Sequence, residues 1–214
     1  MPPVVTQGCA GVEWAATVPE VDLRTWLSDA HRDARARLSG AVTDRVPRER
    51  WSEQADGGGS SLTWLLLHTA RHHDLALQTA ICNRVPLFAD HRHALGLSPT
   101  DHDPAAGIGL TEREDPVATT QIDNAALLDY LNAVLDAGDA WISQLSTLAL
   151  DTVVDSRQRL TELAGLPTDE FGWLLDMWTN KPVHWLVQWP ILGHLQSHLG
   201  EAISVRNRLG YSPF

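Results

Sequence analysis

The chain has 214 residues, 43% of them hydrophobic, which suffices for one large domain with a sizeable core. A formal net charge of −11, with no basic stretch to offset it, argues against a nucleic-acid or anionic-membrane partner. The opening MPPVVTQGCAGVEW lacks the basic and apolar regions of a signal peptide, and no apolar run nears the ~20 residues that span a bilayer, so the cytoplasm is the expected compartment.

Residues 1–19 lack periodicity and read as a tail; residues 20–214 read as a single domain. Cys9 and Cys82 build no disulfide framework, and the expectation is one tail thiol and one buried helix thiol. The first helix is predicted over Val21–Leu38. Its inward stripe is Leu23, Trp26, Leu27, Ala30, Ala34 and Leu38, and Gly40 is placed to end it. His31 lies beside the stripe and is expected to be solvated or simply hydrogen-bonded.

Asp56-Gly57-Gly58-Gly59-Ser60-Ser61 is a break followed by a helix start, with Ser60 or Ser61 as N-cap. No Gly-Lys-Ser/Thr follows, so it is not a phosphate loop. The second helix is predicted over Ser61–Cys82, with Trp64, Leu65, His68, His72, Leu75, Ala76 and Thr79 facing inward. Residues 84–122 carry Pro86, Pro99, Pro104 and Pro116 and the polar run Thr111–Asp115. They predict little regular structure beyond a turn of helix near Asp90–Leu95. A connection this long can cross a bundle and roof a site.

Asp123 or Asn124 caps a third helix reaching about Leu145, and a short helix is predicted near Asp155–Ala164. A Trp-rich segment, Phe171–Trp178, leads to a fourth long helix over Lys181–Gly210. Pro182 sits in its first turn, and Pro190 should kink or weaken it one turn before His194. No strand pattern, internal repeat or long heptad array stands out. Four amphipathic helices with two long connections read as an all-α four-helix bundle.

Ten histidines in this length would give roughly half an H-x-x-x-H pair by chance. Two occur, His68/His72 and His194/His198. Position says more than spacing. His198, Glu201, Ile191 and Val205 all fall within about 60° of His194 at 100° per residue, on the apolar face of the last helix. Imidazoles pointing into a core need a reason; metal ligation and a hydrogen-bonded polar layer both provide one. A carboxylate-rich di-iron site would need Glu-x-x-His pairs on two helices, and no helix carries one. His91 and His93 read as a solvated loop pair, and His184 as a first-turn or pocket-wall residue.

His68 within Leu66-Leu67-His68-Thr69-Ala70-Arg71-His72, together with His194-Leu195-Gln196-Ser197-His198-Leu199-Gly200-Glu201, resembles the DinB/YfiT-like superfamily of metalloenzymes. The helix order and the long connection after the second helix agree, so the resemblance spans about Leu23 to Leu209. It implies a four-helix bundle with a long crossover between helices 2 and 3, and a metal held by His68, His194 and His198. The related mycothiol-dependent maleylpyruvate isomerases have Glu where this chain has His194, so the chain resembles the all-histidine type. Many members end the motif His-Arg-Gly-Gln, where this chain has His198-Leu199-Gly200-Glu201.

The resemblance further implies a divalent metal, zinc foremost with nickel or iron as alternatives, and a low-molecular-weight thiol such as mycothiol as co-substrate. The implied reaction is thiol transfer to, or isomerisation of, a small electrophile. An Arg- and Ala-rich composition with the single lysine Lys181 suggests a GC-rich genome, which fits mycothiol. His72 is a candidate to move a proton or bind substrate, Glu201 a candidate general base or partner to a ligand imidazole, and Trp64, Trp185 and Trp189 are the candidate pocket walls for the thiol. The expected partners are a small-molecule substrate, the thiol and, as one option, a second copy of the chain in a homodimer. The competing reading is a non-catalytic helical bundle that binds metal or a ligand, or a dimerising interaction module.

Overall fold

The computed structural model describes residues 22–97, 106–114 and 121–214. The tail at residues 1–19, with Cys9, lies outside them, as do Pro99, Pro104 and Pro116. The described residues are all-helical and form a helical bundle. Their one strand-like pairing is an isolated bridge between Val153 and Pro182. None of their helices is long and apolar enough to cross a membrane.

Helix α1 spans Leu23–Leu38, opened by Asp22, whose carboxylate accepts from the Thr25 amide. Gly40 does not end it: the chain continues through a π-helical stretch to Thr43, and nothing approaches Gly40 closely. Helix α2 spans Leu62–Asp74, N-capped by Ser61 as expected, and a π-helical stretch carries it to Ile81. All of its residues are buried, so α2 is the central rod rather than an amphipathic surface helix. The connection that follows holds the single-turn helix α3, Phe88–His91. Helix α4 spans Asn124–Ser143 with Asp123 as its cap. Short helices α5 (Ser156–Glu162), α6 (Gly172–Trp178) and α7 (Val183–Leu186) lead to α8, His194–Arg206. Between α7 and α8 the chain is π-helical over Val187–Gly193, around Pro190. Proline has no N–H to give the helix, and the widened turn absorbs that loss without ending the rod.

Helices α1 and α2 each pack against both α4 and α8. Their core falls into two apolar halves. One contains Leu38, Leu66, Ala70, Leu131, Leu135, Leu195 and Leu199; the other contains Leu27, Leu75, Leu77, Ile142, Ile191 and Leu192. On α1 the changeover falls at His31, on α2 between Ala70 and Leu75, where His72 and His73 lie, and on the last helix at His194. On α4 it falls at Gly138 and Asp139. Trp26 and Leu23, expected inward, are 57% and 46% exposed. They lie in the first turns of α1 and rim a cleft instead. Cys82 is half-buried rather than buried, at the end of the π stretch.

The connection is fastened to α2 by buried polar contacts. Glu112 accepts from the Ser61 amide at 2.6 Å and from its hydroxyl at 2.9 Å, while the same hydroxyl caps the Trp64 amide. Farther down, Asp74 accepts from the Leu87 and Phe88 amides and from the Tyr130 hydroxyl. Glu112→Ala should therefore strand the buried Ser61 donors and lower stability by about 1–3 kcal/mol. A urea unfolding midpoint equal to that of the parent chain would contradict this role.

Candidate metal centre

Four histidines from two helices converge at the changeover between the apolar halves. His68 and His72 lie one turn apart on α2, and His194 and His198 one turn apart on α8. His68, His72 and His194 are buried and His198 is half-buried. The Nε2 atom of His194 stands 3.1 Å from Nε2 of His68 and 3.1 Å from Nε2 of His198. Nitrogens sharing a tetrahedral ion at 2.0–2.1 Å would stand roughly 3.3 Å apart.

The outer edges of these rings fix their tautomers. His68 Nδ1 lies 2.9 Å from the Gly107 carbonyl oxygen. A carbonyl only accepts, so Nδ1 carries the proton and Nε2 presents a lone pair inward. His198 Nδ1 donates likewise to Glu201 Oε2 at 2.9 Å, leaving its Nε2 as a lone pair. Two lone pairs thus face His194 Nε2 from either side. One proton on His194 could satisfy only one of them well; a cation satisfies all three. Backbone carbonyl and carboxylate behind imidazole are the partners that orient metal-ligating histidines.

His72 stacks on His194 with ring centroids 4.4 Å apart, and its Nε2 is 3.4 Å from the Ile108 carbonyl. One ring nitrogen from each of His68, His72 and His194 lies within 4.8 Å of the others. This cluster could hold a metal ion. The connection after α2, expected to roof a site, supplies both backbone carbonyls, from Gly107 and Ile108. Gly107 is needed there: at φ +75° it suits glycine, and a Cβ would meet Leu67 and Arg71 at 2.8 and 2.9 Å.

Burial governs the electrostatics. Desolvation, reinforced by the neighbouring imidazoles, holds His68 down to about 3 and His194 to about 2, and drives His72 well below the ordinary value. All three are neutral near pH 7, the state that ligates metal.

The tryptophans occupy two places. Trp64 is buried and stacks on His68 at 4.4 Å, nearly parallel at 15°. Trp185 and Trp189 line a cleft of about 920 Å³ with Trp26, His184, Gly193 and Gln196. The last two residues flank His194 in sequence, so the cleft runs alongside the start of α8. Glu201 is exposed on its outer side and holds His198. His91 is half-buried with its ring 5.3 Å from that of Tyr130, while His93 is exposed.

Sequence reasoning gave no place in the site to Gly107, Ile108, His73 or Asp139. Carbonyl acceptors leave no side-chain signal, and His73 points away from the stripe that drew notice to His68 and His72. His31, expected to be solvated or hydrogen-bonded, is fully buried and hydrogen-bonded to Asp139.

The depressed values set a pH dependence. Each folded value lies below the unfolded value of 6.5, so the unfolded chain takes up protons that the ion-free fold refuses. Stability should be full above pH 6.5 and fall as the pH drops toward 3, by about 1.4 kcal/mol per pH unit for each such imidazole. Urea titrations with chelator present between pH 7 and 4 measure this, and a flat profile contradicts it.

Neither a protein-family model nor a curated protein matches the chain. The fold is similar to a solved crystal structure described as the conserved protein of locus from Enterococcus faecalis. The TM-score is 0.61 at 19% identity, covering 88% of this chain and 98% of that one. At that identity the likeness speaks for the fold.

Proposed function

We propose that the chain is a divalent-metal-dependent enzyme of the DinB/YfiT-like type, with His68, His194 and His198 as ligands and zinc, nickel or iron as the metal. Its reaction is transfer of a low-molecular-weight thiol of the mycothiol kind, or of water, to a small electrophile, or thiol-assisted isomerisation of one. The observation that carries this reading is the pair of inward lone pairs, fixed by the Gly107 carbonyl and Glu201, closing on His194 Nε2. The four long helices, with their long connection between the second and third, agree with the four-helix arrangement of that superfamily.

A bound divalent ion would bring the ionisation of a thiol or water at the site toward neutral pH. The protein's own part is orientation and proton handling. Gly107 and Glu201 hold His68 and His198 in the ligating tautomer. His72, stacked on His194 with ring centroids 4.4 Å apart, is the candidate acceptor for the proton that the thiol or water gives up. Glu201, exposed and bonded to His198, acts as a positioning residue. The aromatic cleft at Trp185 and Trp189 would seat the apolar part of a substrate beside the start of α8.

A second reading has its own observation. The trio within 4.8 Å is His68, His72 and His194, all buried. If His198 joins them, four imidazoles close the coordination shell, as in structural rather than catalytic zinc sites. The chain would then be a non-catalytic metal-binding bundle. His72→Ala separates the readings: it keeps the ion and loses thiol or water turnover in the first, and loses the ion in the second.

Elemental analysis of purified protein should show divalent metal, and His194→Ala and His198→Ala should each lose the ion of this site. Retention of that ion in both variants would sink the assignment. Glu201→Gln should weaken metal affinity about 10–100-fold by chelator competition while leaving the fold intact.

A further inference from the structure

A second group of buried polar atoms lies between α1, α2 and α4. His31 on α1 and His73 on α2 are 0% and 1% exposed, with rings edge to face at 5.2 Å. Both approach α4 at Gly138. A Cβ there would lie 2.8 Å from His31 Nε2 and 2.9 Å from His73 Nε2. Glycine in a helix interior costs about 1 kcal/mol relative to alanine, so this position is kept open at the expense of helix stability. His31 Nδ1 donates to Asp139 Oδ1 at 2.8 Å, and Arg35 holds the other carboxylate oxygen at 2.9 Å. His31 is thereby fixed with its Nε2 lone pair toward the notch. Among the described residues, neither His31 Nε2 nor either nitrogen of His73 has a hydrogen-bond partner. Leaving such atoms buried and unmade costs about 1–3 kcal/mol each.

We propose that His31 Nε2 and His73 Nε2 form a second metal site, over Gly138, for one late first-row divalent ion. Imidazole nitrogens suit zinc, nickel and copper, and Asp139 behind His31 is the carboxylate–histidine pairing that orients a ligand. Three helices contribute: α1 and α2 the ligands, α4 the clearance and the carboxylate. The site stands apart from the first in its residues, so the two can fail separately.

Zinc stoichiometry after equilibrium dialysis tests it. The parent chain should bind two ions. His194→Ala should retain one, and adding His31→Ala to that variant should remove it. With copper(II) in place of zinc, the ion left in His194→Ala should show coupling to two nitrogens by electron paramagnetic resonance. Gly138→Ala, which fills the notch and keeps both imidazoles, should drop the parent stoichiometry from two to one. A parent chain that binds a single ion lost with His194 overturns the second site. So does an ion in His194→Ala that survives removal of His31. A single ion lost with His31 and kept without His194 would instead uphold the second site and overturn the first.

Discussion

The bundle turns on the desolvation of imidazole. A transverse layer holding His31, His68, His72, His73 and His194 cuts the core between two apolar halves. Every ring in it is neutral because water is absent, and every ring nitrogen in it must find a partner inside the protein. The surrounding structure answers part of that demand. The connection after α2 bends in to deliver the Gly107 and Ile108 carbonyls, α4 contributes Asp139 and the clearance at Gly138, and α8 turns His194 toward His68.

An apolar layer of the same size would fold more safely, since packed hydrocarbon needs no partner. Retaining the polar layer leaves specific atoms without a partner among the described residues, His194 Nδ1 and both His73 nitrogens included. Unmet need of this kind, concentrated at one depth on separate helices, is what a cluster able to hold an ion would present. The same atoms scattered over the fold would say little.

Much of this was legible in the sequence, for identifiable reasons. Ser61, Asp123 and the apolar periodicities marked α2 and α4 because capping and amphipathicity are local properties. The inward direction of His68 and His194 followed from their stripes. Gly40 misled because a glycine that could end a helix need not, when the following residues can continue in a wider turn. Trp26 misled because a helical stripe does not reveal where the packed layer stops along the helix. The Gly107 carbonyl, the His31–Asp139 bond and the notch at Gly138 were out of reach. Each joins residues far apart in sequence, through backbone atoms or the lack of a side chain.

The fastening of the connection by Glu112 and Gly107 also bears on the order of assembly. His68 and His194 are 126 positions apart, and the carbonyl that sets the His68 tautomer is 39 positions from it. An unfolded chain can offer an ion only local pairs such as His194 and His198, whereas the full donor set exists only after long loops close. An ion taken up at this site would thus be captured late in folding. Any ion bound there acts as a latch on the finished topology, stabilising it by mass action while giving partly folded chains little to hold.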